Sequence, residues 1–152
     1  MSDSATREIE TGEVIDAAEF TRRTHELVPV ARQLGIVATE LGADGSAVVR
    51  LPYAPEFVRP GGSISGPTLM ALADIAMYAG VAGRLGWTPM AMTATQNTTF
   101  LKPPRPEGLI ASAEPLRFGP RLAYFAVVIA SDSVPETPVA HVTGSYALPQ
   151  AR

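Results

Sequence analysis

The chain has 152 residues, 46% apolar and 18% charged, with a formal net charge of −3. That is the make-up of one folded domain large enough to bury a core, without the basic excess that draws a protein onto nucleic acid. It contains no cysteine, which excludes disulfides, thiolate metal sites and a cysteine nucleophile.

Residues 1–13 are polar and acidic, without apolar periodicity, and read as a mobile tail ahead of a single domain over residues 14–152. No apolar signal segment is visible in MSDSATREIETGEVIDAAEF, so a cytoplasmic location is expected. Val14–Leu34 has helical spacing, with Ile15, Ala18, Leu27, Ala31 and Leu34 as inward positions. Pro29 bends or divides it, and Gly35 ends it. Ile36–Leu41 and Ala47–Pro52 read as strands joined by a Gly-Ala-Asp-Gly turn. A loop rich in Pro and Gly follows over Tyr53–Ile64. Ser65 or Gly66 is then placed to cap a helix with Pro67 in its first turn, where a missing N–H does no harm.

The pattern predicts that this helix runs to about Gly83, apolar nearly all round and therefore buried on more than one side. Its Ala71, Ala73, Ala76, Ala79, Gly80 and Gly83 are small enough for another backbone to approach. As a membrane span it is at the short limit of about 17 residues and carries Asp74 near its middle, which argues against that role. Four strands are predicted after it: Met90–Leu101, Leu109–Phe118, Leu122–Ser131 and Val139–Leu148. Pro103-Pro104, Gly119-Pro120 and Val134–Pro138 separate them. The order predicts an α+β fold, with about six strands curled around one long helix and an N-terminal helix added. Leu122–Ile129 is apolar on both faces, so one face covers the helix and the other calls for a second subunit.

The densest chemical signal is Arg59 to Arg84, RPGGSISGPTLMALADIAMYAGVAGR, in which Asp74 is the one charged residue among the 24 between the arginines. A carboxylate in an apolar helix is costly unless paired, hydrogen-bonded or set in a cleft. Asp74 is therefore the first catalytic candidate, with a buried structural acid as the alternative. Gly66 offers an N–H at a helix start, where a bare Cα lets a substrate reach the backbone; a plain turn glycine is the alternative. Ser65 reads first as an N-cap and second as a substrate contact. Arg59 either binds an anion or pairs with Glu56 on the surface. Thr93, Thr95, Asn97 and Thr99 alternate along a strand and present polar groups to substrate, or simply reflect β-propensity. Tyr78, four residues after Asp74, donates to it or lines a pocket. His25 and His141 give no metal spacing and no triad, and no metal or cofactor is expected.

The segment GGSISGPTLMALAD and the element order resemble the hotdog-fold thioesterases, in particular their PaaI-like branch. Leu34-Gly35-Ile36, Leu72-Ala73-Asp74 and Phe100-Leu101-Lys102-Pro103 add to the likeness, which spans about Leu34 to Leu148. The resemblance implies a hotdog fold, a homodimer or homotetramer, an acyl-CoA thioester as substrate and a site at the subunit interface. In the family motif an Asn precedes a His-Gly-Gly by six residues, and an Asp follows the His by nine. On this chain the Asp falls on Asp74, the first Gly on Gly66, the His on Ser65, the second Gly on Pro67 and the Asn on Arg59. Only the acid and one glycine match. Two functions follow: an acyl-CoA thioesterase, or a non-catalytic acyl-CoA or small-ligand binding protein that keeps the pocket without the chemistry. A hydratase of the same fold has no histidine near the Asp-bearing helix to support it.

Overall fold

The computed structural model describes residues 8–152. Helix α1 spans Ala17–Leu27 and α2 spans Pro29–Leu34; strands β1 and β2 span Val37–Leu41 and Ala47–Leu51. The long helix α3 spans Gly66–Leu85, and β3 to β6 span Met92–Phe100, Leu109–Phe118, Leu122–Ser131 and Pro138–Ala147. All six strands join one antiparallel sheet in the order β1-β2-β4-β5-β6-β3. The sheet curls around α3, which is the hotdog arrangement.

The first helical stretch is divided, not bent. Val28 is extended (φ −120°, ψ 90°), as a residue before proline prefers, and Pro29 starts α2. The side chain of Asp16 caps α1 by accepting from the Glu19 N–H at 2.8 Å. Phe20 and Thr24 are the buried residues of α1, while the expected inward Ala18 and Leu27 are exposed. The break at Val28 shifts the helical phase, so one continuous period does not fit both pieces. Ala31 is buried in α2 as expected, and Gly35 (φ 70°) closes it in the left-handed region.

Helix α3 is the core. Leu69, Leu72, Ala73, Ala76, Met77, Ala79 and Val81 are 1% exposed or less. Burying each large side chain here contributes about 1.5–3 kcal/mol. Small residues set the distance to the sheet. A Cβ on Gly80 would lie 2.5 Å from the Phe125 ring, and one on Gly144 of β6 would lie 2.7 Å from the Met77 sulfur. The helix is long and apolar enough to cross a membrane by length and hydropathy, but two-thirds of its apolar stretch is buried inside this domain.

On β5, Ala123, Phe125, Val127 and Ile129 are buried toward α3, while Tyr124 and Val128 on the opposite face are exposed at 42% and 36%. The expected two-sided strand is thus covered on one side only within the chain. The segment expected to be a tail is partly docked. Gly12 N–H donates to Leu85 C=O at 2.8 Å, Trp87 N–H to Glu13 C=O at 2.8 Å, and Glu10 N–H to Pro149 C=O at 2.9 Å. Residues 1–7 of that segment lie outside the described residues.

Candidate active site

The chain enters α3 through a glycine turn. Arg59 N–H donates to Ser63 C=O at 2.9 Å and Gly62 N–H to Arg59 C=O at 3.0 Å, with Gly61 (φ 100°) and Gly62 (φ 85°) in the left-handed region. Ser65 is the N-cap residue, extended at φ −66° and ψ 147°. Its hydroxyl meets the Thr68 hydroxyl at 2.7 Å and caps no backbone N–H. The Thr68 and Leu69 N–H groups both donate to Ser65 C=O, at 3.2 and 3.3 Å. Pro67 has no N–H. No described group accepts from the Gly66 N–H, so it is the one unengaged donor at this helix start.

Gly66 is part of the wall of a cavity of about 410 Å³. Ile64, Leu69, Phe100, Leu101, Pro103 and Pro104 supply its apolar surface, and Arg59 and Lys102 its charge. A Cβ on Gly66 would lie 3.1 Å from the Phe100 ring. Arg59 makes no ion pair with Glu56 or any other described residue, which sets aside the surface-pair reading.

Asp74 lies eight residues along α3 from Gly66, about 12 Å at 1.5 Å per residue. It lines a different groove, of about 340 Å³, together with Ile75, Tyr78, Met92, Thr93 and Tyr146. Thr93 donates its hydroxyl to Asp74 Oδ1 at 2.5 Å. The Tyr146 hydroxyl donates to the Asp74 backbone carbonyl at 3.2 Å. Burial holds the Asp74 carboxyl above its ordinary value, and the hydrogen bond from Thr93 partly offsets this. Tyr78 stacks on Tyr146 with ring centroids 5.9 Å apart, and burial pushes its hydroxyl up to about 12. It lines the groove, and the hydrogen bond to the Asp74 carboxylate comes from Thr93.

The threonine row does not share one face. A bulge between Thr93 and Thr95 breaks the alternation of β3. Thr93 turns to α3, while the Thr95 hydroxyl meets Ser145 at 2.7 Å on the outer face of the sheet. Asn97, paired with Thr143, also faces outward. Thr95 and Asn97 together line a shallow outer pocket of about 220 Å³ with Tyr124 and Thr143, so within one chain they are removed from Asp74. In their place β3 turns Gln96 inward, where its amide donates to the Met70 carbonyl at 2.9 Å. Thr93 and Tyr146 are the partners of Asp74 that sequence spacing alone does not single out. Among the described residues no cluster of His, Asp and Glu is arranged to hold a metal ion.

Residues 61–136, half of the chain, match the thioesterase superfamily, and the chain belongs to that family. Comparison with functionally curated proteins finds no match. Among solved structures, one from a Silicibacter species, described as a candidate thioesterase, is 29% identical with a TM-score of 0.76, covering 92% of this chain and 96% of the other. PaaI from the phenylacetic acid degradation operon of E. coli shares the fold at 20% identity and TM-score 0.73, covering 87% and 95%. A mutant of the phenylacetic acid degradation protein PaaI from Thermus thermophilus is 25% identical with TM-score 0.67, covering 78% and 97%. The chain is a PaaI-like hotdog protein of the thioesterase superfamily.

Proposed function

We propose that the protein hydrolyses acyl-CoA thioesters at a site shared by two copies of the chain. The observation that carries this reading is Asp74: the one acid of α3, largely buried, hydrogen-bonded through Oδ1 and open to a groove. Such a carboxylate is tuned to take a proton from water or to attack a carbonyl carbon itself. The Gly66 N–H is free to receive the oxygen of the tetrahedral intermediate. Water adds to the thioester carbon as Asp74 takes its proton. The C–S bond then breaks, and the thiolate leaves to be protonated.

The two groups stand about 12 Å apart along one helix, too far to serve one carbonyl within a single chain. Gly66 of one copy and Asp74 of another resolve this. Strand β3 supports such pairing, because it is a sheet edge of nine residues with no charged side chain to block a second strand. The assembly is a homodimer, or a homotetramer of two such pairs, acting in the cytoplasm.

Steady-state turnover of an acyl-CoA panel, with Asp74→Asn alongside, tests the reading. Hydrolysis that falls about 10²–10⁴-fold in the variant supports it. Unchanged hydrolysis removes Asp74 from the mechanism. A second reading, acyl-CoA or small-ligand binding without catalysis, is favoured by the single free N–H at the start of α3. Tight acyl-CoA binding with no hydrolysis would establish it.

A further inference from the structure

The cavity at the start of α3 carries charge of one sign only. Arg59 and Lys102 line it, and no acidic residue does, although acids outnumber bases in the chain. Neither cationic side chain has an ion pair or hydrogen bond among the described residues, whereas Arg22, Arg23 and Arg50 are each paired. The backbones that carry them are held. Arg59 sits at the base of the glycine turn, and Lys102 N–H donates to Val139 C=O at 3.3 Å. The same cavity has an apolar wall that includes Leu69, Phe100 and Pro104. An apolar chamber with two unpaired cations matches a ligand that has a short apolar body and an anionic end.

We infer that this cavity selects acyl groups bearing a terminal carboxylate, held by Arg59 and Lys102, such as the half-thioester of a short dicarboxylic acid. The inference rests on the thioesterase reading for the direction of the ligand, with its carbonyl at Gly66. CoA phosphates are the other source of negative charge. They are separated from the sulfur by the whole pantetheine arm, while both cations share one chamber with Gly66. That proximity favours an anion on the acyl side of the carbonyl.

The test compares glutaryl-CoA with valeryl-CoA, which have equal chain length, using the full-length protein. Non-hydrolysable thioether analogues of both, and free CoA, are measured by calorimetry. A charge-assisted contact predicts a preference for glutaryl of about tenfold or more in kcat/KM and in analogue binding. Arg59→Gln and Lys102→Gln, both at exposed positions, should each shrink that ratio several-fold. Equal handling of the two acyl groups overturns the inference. So does a loss of affinity in Arg59→Gln that is the same for both analogues and for free CoA, since that assigns the cations to the CoA phosphates. If neither thioester is hydrolysed, the thioesterase reading fails separately. A glutaryl preference in analogue binding that the variants abolish would still support selection by this cavity.

Discussion

Thr93 and Asp74 are joined across 2.5 Å, hydroxyl to carboxylate, because a bulge after Thr93 turns its side chain toward the central helix. The hydrogen bond stabilises the charged form of an acid that burial otherwise pushes toward its neutral form. Thr93→Val keeps the shape and β-branching and removes the donor. The Asp74 carboxyl then rises further. The acidic limb of the pH–rate profile should move to higher pH, with kcat at low pH falling more than kcat at pH 8. A profile identical to wild type would show that the bond does not tune the base.

Asp74→Asn separates function from stability. A carboxyl raised in the folded state binds its proton more tightly folded than unfolded. Its effect on stability is therefore absent below the unfolded pKa and turns unfavourable as pH rises from there through the folded value. The Asn variant escapes that loss and still accepts from Thr93. Its Tm at neutral pH should equal or exceed that of wild type, and any excess should shrink as pH falls toward about 4 and be gone below it. A variant clearly less stable at pH 7 would make the charged carboxylate a structural partner instead.

Pro67 limits the donors at the start of α3. Pro67→Gly supplies a second N–H beside Gly66, and one oxyanion donor is worth on the order of 10²–10³ in rate. Turnover should rise, while the loss of a rigid first-turn proline costs about 1 kcal/mol of stability. Thermal melts taken with the kinetics keep the two effects apart. No change in turnover would show that donor number is not limiting.

Glu10, Gly12 and Glu13 are tied to the domain by backbone hydrogen bonds. Removing residues 1–7 should leave the Tm close to that of the full chain. Removing residues 1–13 takes away the backbone bonds to Leu85, Trp87 and Pro149 and the ion pair of Glu13 with Arg23, and should lower it by several degrees. Equal melting of both truncations would return the whole segment to a dispensable tail.

Much of the fold was legible in periodicity and turn chemistry. The apolar run into α3 and the Pro and Gly breaks placed all six strands to within a few residues. The phase of α1 was not legible, because Val28 and Pro29 interrupt it and bring Phe20 inward in place of Ala18. Docking of Glu8–Glu13 left little trace in composition because backbone groups make most of it, with one ion pair from Glu13. Of the candidate site, Asp74, Gly66 and Arg59 stand out in the sequence as charge or glycine in an unusual setting, while their placement on two separate grooves does not. The split of Thr93 from Thr95 was not, because the bulge arises from pairing with β6, and Tyr146 reaches Asp74 across 72 residues of chain.

In the proposed assembly, Gly66 of one copy and Asp74 of another form one site. Two inactive variants test it together. Asp74→Asn removes the base, and Gly66→Pro removes the N–H at the first residue of α3; because the new ring meets Phe100 and precedes Pro67, a thermal melt first establishes that this variant folds. After unfolding and refolding as an equal mixture, half of the dimers are mixed and each holds one site with both groups intact. Activity should return to about a quarter of wild type while each variant refolded alone stays inactive. A mixture as inactive as its components, with mixed dimers demonstrated by mass, would contradict a shared site.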